Sequence, residues 1–314
     1  MHNNLSRFFE KDIILMTLND WTLTKIIGSD SKKYLQNQIT IDMNKLSKKK
    51  HKLCAHCNVN GRVWSNLRIF QYEINSYMYL QRKSVSYHQI NELKKYSIFS
   101  NISIFHDTEM YLLGITGTMA RTKLQKYFDI LPNKNLTICY KNNVILLWFN
   151  FPCERFILIT KKNNAILKKI LSSVKTIHDS NLWLALDISS KFPIIEKEMS
   201  GKFFPQSLNL ENLDALDFKK GCYYGQEMIT KIRFRKLNQY NLHWLIEKSD
   251  RITRIGEIIE SKIQEKWNRV GYILSFVRVN KNTIWIQAVL KINVKINDKI
   301  RIENDINSKL YMQM

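Results

Sequence analysis

Lys219-Lys220-Gly221-Cys222-Tyr223-Tyr224-Gly225-Gln226-Glu227 is the stretch on which the reading of this chain turns. Two glycines bracket a cysteine and two tyrosines, a composition for a shaped loop rather than a regular element. Gln226 to Arg233 then has helical composition, so Cys222 falls near a helix N-terminus. The positive end of that helix, with Lys219, Lys220 and Lys231 close in sequence, is expected to favour the thiolate over the thiol. A thiolate is a nucleophile, a redox thiol or a soft-metal ligand; the alternative is a buried cysteine packing as a small hydrophobe.

Upstream of the loop the pattern is α+β. Ile13 to Thr24 alternates as a strand pair about a turn at Asn19-Asp20, and Asp30 or Ser31 can cap a helix from Lys32 to Ile39. Cys54 to Val59 and Arg62 to Phe70 flank Asn60-Gly61, the strongest short hairpin signal. Tyr77 to Arg82 reads as a strand, with Tyr87, Ile90, Leu93 and Tyr96 following at helical spacing. A second unit begins with the strand Leu112 to Ile115. Thr118 is placed to cap a helix carrying Ala120, Leu124, Tyr127 and Phe128, then come strands Val144 to Phe149 and Arg155 to Thr160. A helix with Ile166, Ile170 and Val174 in register completes a split βαβ-like pattern. A further helix, Ser180 to Ile188, follows Asp179.

Downstream of Leu237 the texture changes to short alternating runs: His243 to Glu247, Gly256 to Glu260, Val270 to Val279, Thr283 to Val289 and Lys299 to Ile302. That spacing predicts a small antiparallel barrel. The expected division is therefore 1–108 together with 180–236, then 109–179, then 237–314.

The 314 residues include 49 Lys+Arg against 27 Asp+Glu, a formal net charge of +22. Much of this sits in runs of Lys and Asn, residues that A/T-rich codons specify, yet the field is real and favours polyanionic partners. The densest apolar run, Val144 to Phe149, is far short of the roughly 18–20 residues of a membrane span. Glu10, Lys11 and Asp12 interrupt the N-terminal apolar stretch, so no secretory signal is read there. With five cysteines, an odd number, a disulfide framework is not expected. These features read as a reduced cytoplasmic protein with no membrane partner.

Cys54-Ala55-His56-Cys57, with His51 nearby, has metal-ligand residue types but no second ligand pair, and strand alternation sends its side chains to opposite faces. Sheet packing is the better reading, and no metal is assigned. Trp21 and Trp183, from distant segments, are either core residues or a stacking platform for a flat heteroaromatic ring. No P-loop, dinucleotide-binding glycine fingerprint, HExxH or GxSxG is present.

The loop from Lys220 to Glu227 matches the signature K-G-C-[FY]-x-G-Q-E, and the likeness continues through LMTLNDW (15–21), AHCNVNGRVWSNLRIF (55–70), ELKKYSIFS (92–100), LLWF (146–149), WLALDI (183–188) and FPQSLNL (204–210). On these residues the chain resembles the YgfZ family of folate-binding, tRNA-modifying proteins, relatives of the glycine-cleavage aminomethyltransferases. The resemblance implies an α+β, three-module aminomethyltransferase-like fold, two mixed units and a C-terminal β-barrel around a central folate cleft. It implies tetrahydrofolate or a derivative as cofactor, held by Trp21 and Trp183. In the signature loop, Cys222 looks like the functional residue and Lys220 its electrostatic support. Gly221 and Gly225 would shape the loop, while Tyr223, Gln226 and Glu227 complete the signature, with Tyr223 and Gln226 holding it. Cys54, and Lys191 before Phe192-Pro193, depart from the pattern.

Three functional readings follow. One is a folate-binding accessory protein for tRNA modification and for maintenance of the iron–sulfur enzymes that perform it, using Cys222 thiol chemistry beside bound folate. A second is a folate-dependent one-carbon transferase. The third is a basic RNA-binding module without catalysis, which leaves the cysteine loop unexplained. The first accounts for Cys222, which the related aminomethyltransferase loop lacks; whether any reaction is catalysed stays open between the first two. Expected partners are folate, tRNA-modifying iron–sulfur enzymes and, as a further candidate, tRNA itself.

Overall fold

The structure, a computed structural model, describes residues 11–313; residues 1–10 of the first expected unit and Met314 of the last lie outside it. The chain runs through β1 (Ile14–Thr17), β2 (Trp21–Ile27), α1 (Ser31–Gln38), β3 (Lys52–Cys57), β4 (Val63–Glu73), β5 (Ser76–Arg82), α2 (Lys83–Lys94) and β6 (Ser103–His106). Then come β7 (Met110–Thr116), α3 (Ala120–Leu124), β8 (Ile138–Lys141), β9 (Val144–Phe149), β10 (Arg155–Lys161), α4 (Ala165–Ser172) and β11 (Ile177–His178). α5 (Ser180–Ser189) and α6 (Gln226–Phe234) precede β12 (Tyr240–Glu247), β13 (Ile258–Ile263), β14 (Lys266–Asn280), β15 (Thr283–Lys291), β16 (Ile300–Ile302) and β17 (Leu310–Gln313).

These strands form a six-stranded sheet in the order β11-β1-β7-β10-β9-β8, a five-stranded sheet in the order β3-β4-β5-β2-β6, and a closed barrel, β12-β15-β14-β13-β16-β17. The two sheets share one core, in which Met16, Leu23, Phe70, Met78, Leu147 and Ile157 interdigitate. Each outer face is covered by helices: Leu35 of α1 and Leu93 of α2 pack on the five-stranded sheet, and Leu124 of α3 and Ile170 of α4 on the six-stranded one. Closure of the barrel removes its edges, so the short terminal strand β17 pairs with β12 and β16.

The hairpin expected over Ile13 to Thr24 does not form. β1 pairs with β7 and β11, whereas β2 pairs with β5 and β6, and the chain crosses between sheets at the Leu18–Trp21 turn. Ile14, Leu15 and Met16 are all buried, so β1 has no solvent face and takes neighbours on both edges. β1 thereby joins the sheet of the second expected unit. Other local departures are small. The α3 N-cap is Met119 rather than Thr118, and Tyr87 and Tyr96 of the expected apolar face are exposed while Ile90 and Leu93 are buried. Asp179 caps α5 as expected, its Oδ1 accepting from the Asn181 N–H at 3.1 Å.

α5 is the element that joins the modules. Trp183 and Leu186 enter the core between the sheets, while Leu184, Ala185 and Ile188 pack with Trp244, Val277 and Trp285 of the barrel. A helix apolar nearly all round is one buried on all sides. Among the described residues no helix is long and apolar enough to cross a membrane.

Candidate functional site

The signature loop is anchored at both ends. Gly225 has φ +84°, and a Cβ there would lie 2.4 Å from the Asn58 carbonyl oxygen and 3.1 Å from Gly61 Cα. The Asn60-Gly61 turn and the loop therefore pack backbone to backbone, which only glycine allows. Gly221 is different: a Cβ there meets nothing within 4 Å, and its φ lies outside the left-handed region. The shaping role expected of both glycines belongs to Gly225. Tyr223 is buried, and its N–H donates to Gln226 Oε1 at 3.3 Å. The Tyr224 N–H donates to the Asn37 carbonyl at 2.9 Å, and its hydroxyl meets that of Tyr96 at 2.6 Å. Glu227 sits in the first turn of α6, where its charge complements the helix dipole.

Lys220, expected to support Cys222, is committed to a helix end. Its ammonium is buried and donates to the carbonyls of Gln36, Ile39 and Ile41 at 2.6, 2.7 and 2.7 Å. Those oxygens lie at and just past the end of α1, where carbonyls lack intrahelical partners, so the lysine caps that helix from across the fold. Burial pulls its pKa down to about 8, against the opposing pull of Cys54, Asp42 and Asp217. Cys222 itself is exposed.

A separate cavity of about 350 Å³ lies where β2, β4, β9, β10 and α5 converge. Trp21 and Trp183 both line it, joined by Phe149, Phe192, Arg68 and Asp187 among others. Trp183 and Asp187 stand four residues apart on α5 and so share a face. Trp183 is only 1% exposed: Arg155 lies over its ring at 4.4 Å and Phe149 meets it edge-on at 5.7 Å. It forms a wall of the cavity rather than an open platform. Trp21 is half-buried, with the Arg82 guanidinium 5.6 Å from its ring and Arg82 itself paired to Glu196 at 2.7 Å.

The polar groups here carry the site's character. Arg155 Nη2 pairs with Asp187 Oδ1 at 2.7 Å. Arg155 Nε and Nη1, Asp187 Oδ2, Arg68 Nε, Trp21 Nε1 and His51 Nδ1 are buried without a hydrogen-bond partner among the described residues. Burial raises the Asp187 carboxyl, opposed by Arg155, Arg68 and Arg82, and burial lowers Arg68 to about 10. His51 is held near 3 by burial with Arg68 adding, so its ring is neutral. Its Nε2 lies 2.9 Å from the Trp148 carbonyl, which can only accept; the proton is assigned to Nε2, leaving Nδ1 as an acceptor. Such buried polar atoms on aromatic walls have hydrogen-bonding capacity left for a molecule entering the cavity.

Residues 238–305 match the YgfZ β-barrel domain. Along almost its whole length the chain is similar to curated proteins named tRNA-modifying protein YgfZ. With that of Buchnera aphidicola subsp. Baizongia pistaciae it shares 48% identity over 99% of both chains. With that of Yersinia enterocolitica it shares 38%, over 97% of this chain and 92% of the relative. The chain belongs to the YgfZ family. Among solved structures, the glycine cleavage system aminomethyltransferase T of Bartonella henselae superimposes with a TM-score of 0.73, covering 97% of this chain and 85% of that one at 14% identity. The YgfZ-family chain thus has the aminomethyltransferase architecture, as the family resemblance implied.

Within this YgfZ fold, the structure brings Trp21 and Trp183 to one cavity and keeps Cys222 out of its lining. The thiol expected beside bound folate is exposed and does not line this cavity. Cys54 and Cys57 fall in different cores, on the two faces of β3, because alternate strand residues point oppositely. Sequence reading missed Arg68, Arg155 and Asp187, and weighed His51 only beside a metal-ligand pattern. Asp187 and Arg68 lie inside stretches already matched to the family, and the signal was a lone charge in an apolar run, the D of WLALDI and the R of LRIF.

Proposed function

We propose that this protein binds a reduced folate, tetrahydrofolate or a derivative, in the cavity between the sheets and α5, and serves tRNA modification. The observation that carries the reading is the set of buried polar atoms without partners on aromatic walls. Asp187 Oδ2 and His51 Nδ1 are acceptors suited to the N–H groups of a pterin's amino–amide edge, and Arg155 and Arg68 are donors suited to its carbonyl oxygen. Trp21, Phe149 and Phe192 supply ring faces and edges for the pterin and aminobenzoyl rings. Two guanidiniums against one carboxylate leave the cavity positive, which suits the anionic glutamate tail. Bound tetrahydrofolate would supply a nitrogen pair able to carry a one-carbon unit.

Cys222, exposed and outside this lining, is proposed as a thiol offered to macromolecular partners rather than to the folate. The family resemblance directs it toward the iron–sulfur enzymes of tRNA modification. Calorimetric titration with tetrahydrofolate tests the cofactor, comparing wild type with Trp21→Ala and Arg68→Met. Binding that each substitution weakens at least tenfold supports the site; no wild-type binding at millimolar ligand sinks it. Cys222→Ala is expected to keep the folate affinity and to lose modified nucleosides in tRNA from cells relying on this protein. A fully active Cys222→Ala removes the thiol from the mechanism.

A further inference from the structure

A second cavity, about 630 Å³, opens between the signature module and the barrel and shares no lining residue with the first. Its walls carry Phe203 and Phe204, Tyr240 of β12 and Tyr272 of β14, with Arg62 and Lys202. The rings are not a closed core. Tyr272 is 36% exposed, Phe204 and Tyr240 are half-buried, and only Phe203 is fully covered, packing against both tyrosines. Arg62 lies with its guanidinium 4.8 Å from the Phe204 ring centroid and donates to the Lys202 carbonyl, which holds a cation against the aromatic wall.

One wall is the end of α6 and the turn after it, where Ile232 and Leu237 line the cavity. Between and before them come Lys231, Arg235 and Lys236, all exposed and, among the described residues, without a carboxylate partner; Arg233 alone pairs, with Glu211 at 2.8 Å. Phe234 stands out at 71% exposed beside them. Aromatic rings facing a solvent-open pocket, flanked by unneutralised cations, are the combination that binds unpaired nucleotides: bases stack on the rings and phosphates follow the charge. An apolar peptide has no use for the cations, and an acidic peptide has none for the rings.

We propose that this cavity and the end of α6 bind single-stranded RNA, with a base stacked among Phe204, Tyr240 and Tyr272 and its flanking phosphates on Arg62, Lys202, Lys231, Arg235 and Lys236. Because Arg62 follows Gly61, which packs on Gly225, the same backbone contact ties this surface to the loop that displays Cys222. The site is independent of the folate reading.

Fluorescence anisotropy with a labelled unstructured 12-nucleotide RNA, and with a duplex of equal length, tests the proposal on the full chain. The single strand is expected to bind more tightly than the duplex. Tyr272→Ala and Phe204→Ala should each weaken it about tenfold, within the range of losing one stacked base, while tetrahydrofolate titration is unchanged. Lys231→Ala with Arg235→Ala should reduce the slope of log K against log salt by about 1.4. Should Phe204→Ala unfold, by its melting curve, Tyr272→Ala on the barrel surface decides alone. Equal affinity for duplex and single strand, or charge substitutions that matter while ring substitutions do not, would overturn the stacking site. So would equal competition by polyglutamate, which would mark the face as a dock for an acidic protein.

Discussion

Arg155 Nη2 lies 2.7 Å from Asp187 Oδ1, with the two side chains 3% and 4% exposed, at the place where β10 meets α5. Arg155 also covers the ring of Trp183, so the ion pair fixes the cavity wall as well as its charge. Removing one partner of such a pair strands the other in the interior. Asp187→Ala is expected to destabilise the fold by about 3–5 kcal/mol in urea denaturation, and Arg155→Met combined with Asp187→Leu to recover much of that. A loss below about 1 kcal/mol for the single variant would mean that water reaches the stranded arginine.

The two glycines of the signature loop should respond oppositely to a methyl group. Gly225→Ala forces a Cβ to 2.4 Å from the Asn58 carbonyl at φ +84° and is expected to cost at least about 2 kcal/mol. Gly221→Ala enters open space and should stay within about 0.5 kcal/mol of wild type. Thermal melts of the pair, run side by side, check the contrast.

Lys220→Met removes three charge-assisted hydrogen bonds and leaves the carbonyls of Gln36, Ile39 and Ile41 short of a donor. A loss of about 2–4 kcal/mol is expected. The alkylation rate of Cys222 by iodoacetamide, measured where the variant is still folded, should change less than twofold. A large fall in that rate would restore the electrostatic role that the loop sequence led one to expect.

His56 is 1% exposed and contacts Gln89 Nε2 at 3.1 Å through Nδ1; burial lowers its pKa to about 3, with His88 adding. A base whose folded pKa is depressed holds fewer protons than the unfolded chain below the usual histidine value near 6.5. Stability is therefore complete above that pH and falls as the solution is acidified toward 3. The contribution is about 1.4 kcal/mol per pH unit well inside that window. Denaturation midpoints between pH 7 and 4.5 should show a shallower decline in His56→Gln than in wild type; parallel curves would refute the assignment.

The barrel was legible because its short apolar runs are separated by turn residues at regular spacing, a local signal that survives even where a strand such as β15 is buried on both faces. The Asn60-Gly61 hairpin was legible because turn chemistry is local. β1 was misread for the opposite reason: a strand buried on both faces has no period to read, and its partners β7 and β11 lie far along the chain.

The same division runs through the site. The cysteine loop announces itself, since glycines at set spacing around Cys222 are a local constraint, and the match of motifs along the chain was enough to place it in its family. Lys220 and Cys222 are two residues apart in sequence, yet their side chains go to different places, one to the carbonyls at the end of α1 and the other to solvent. That choice is made by an orphaned helix end that only the folded chain brings near. Likewise Arg68, Arg155 and Asp187 become one charged cluster only when three distant segments converge, because a buried charge is tolerated only where tertiary packing delivers its partner. Local chemistry determined the loop, the barrel and the family; burial decided where each charge ended up.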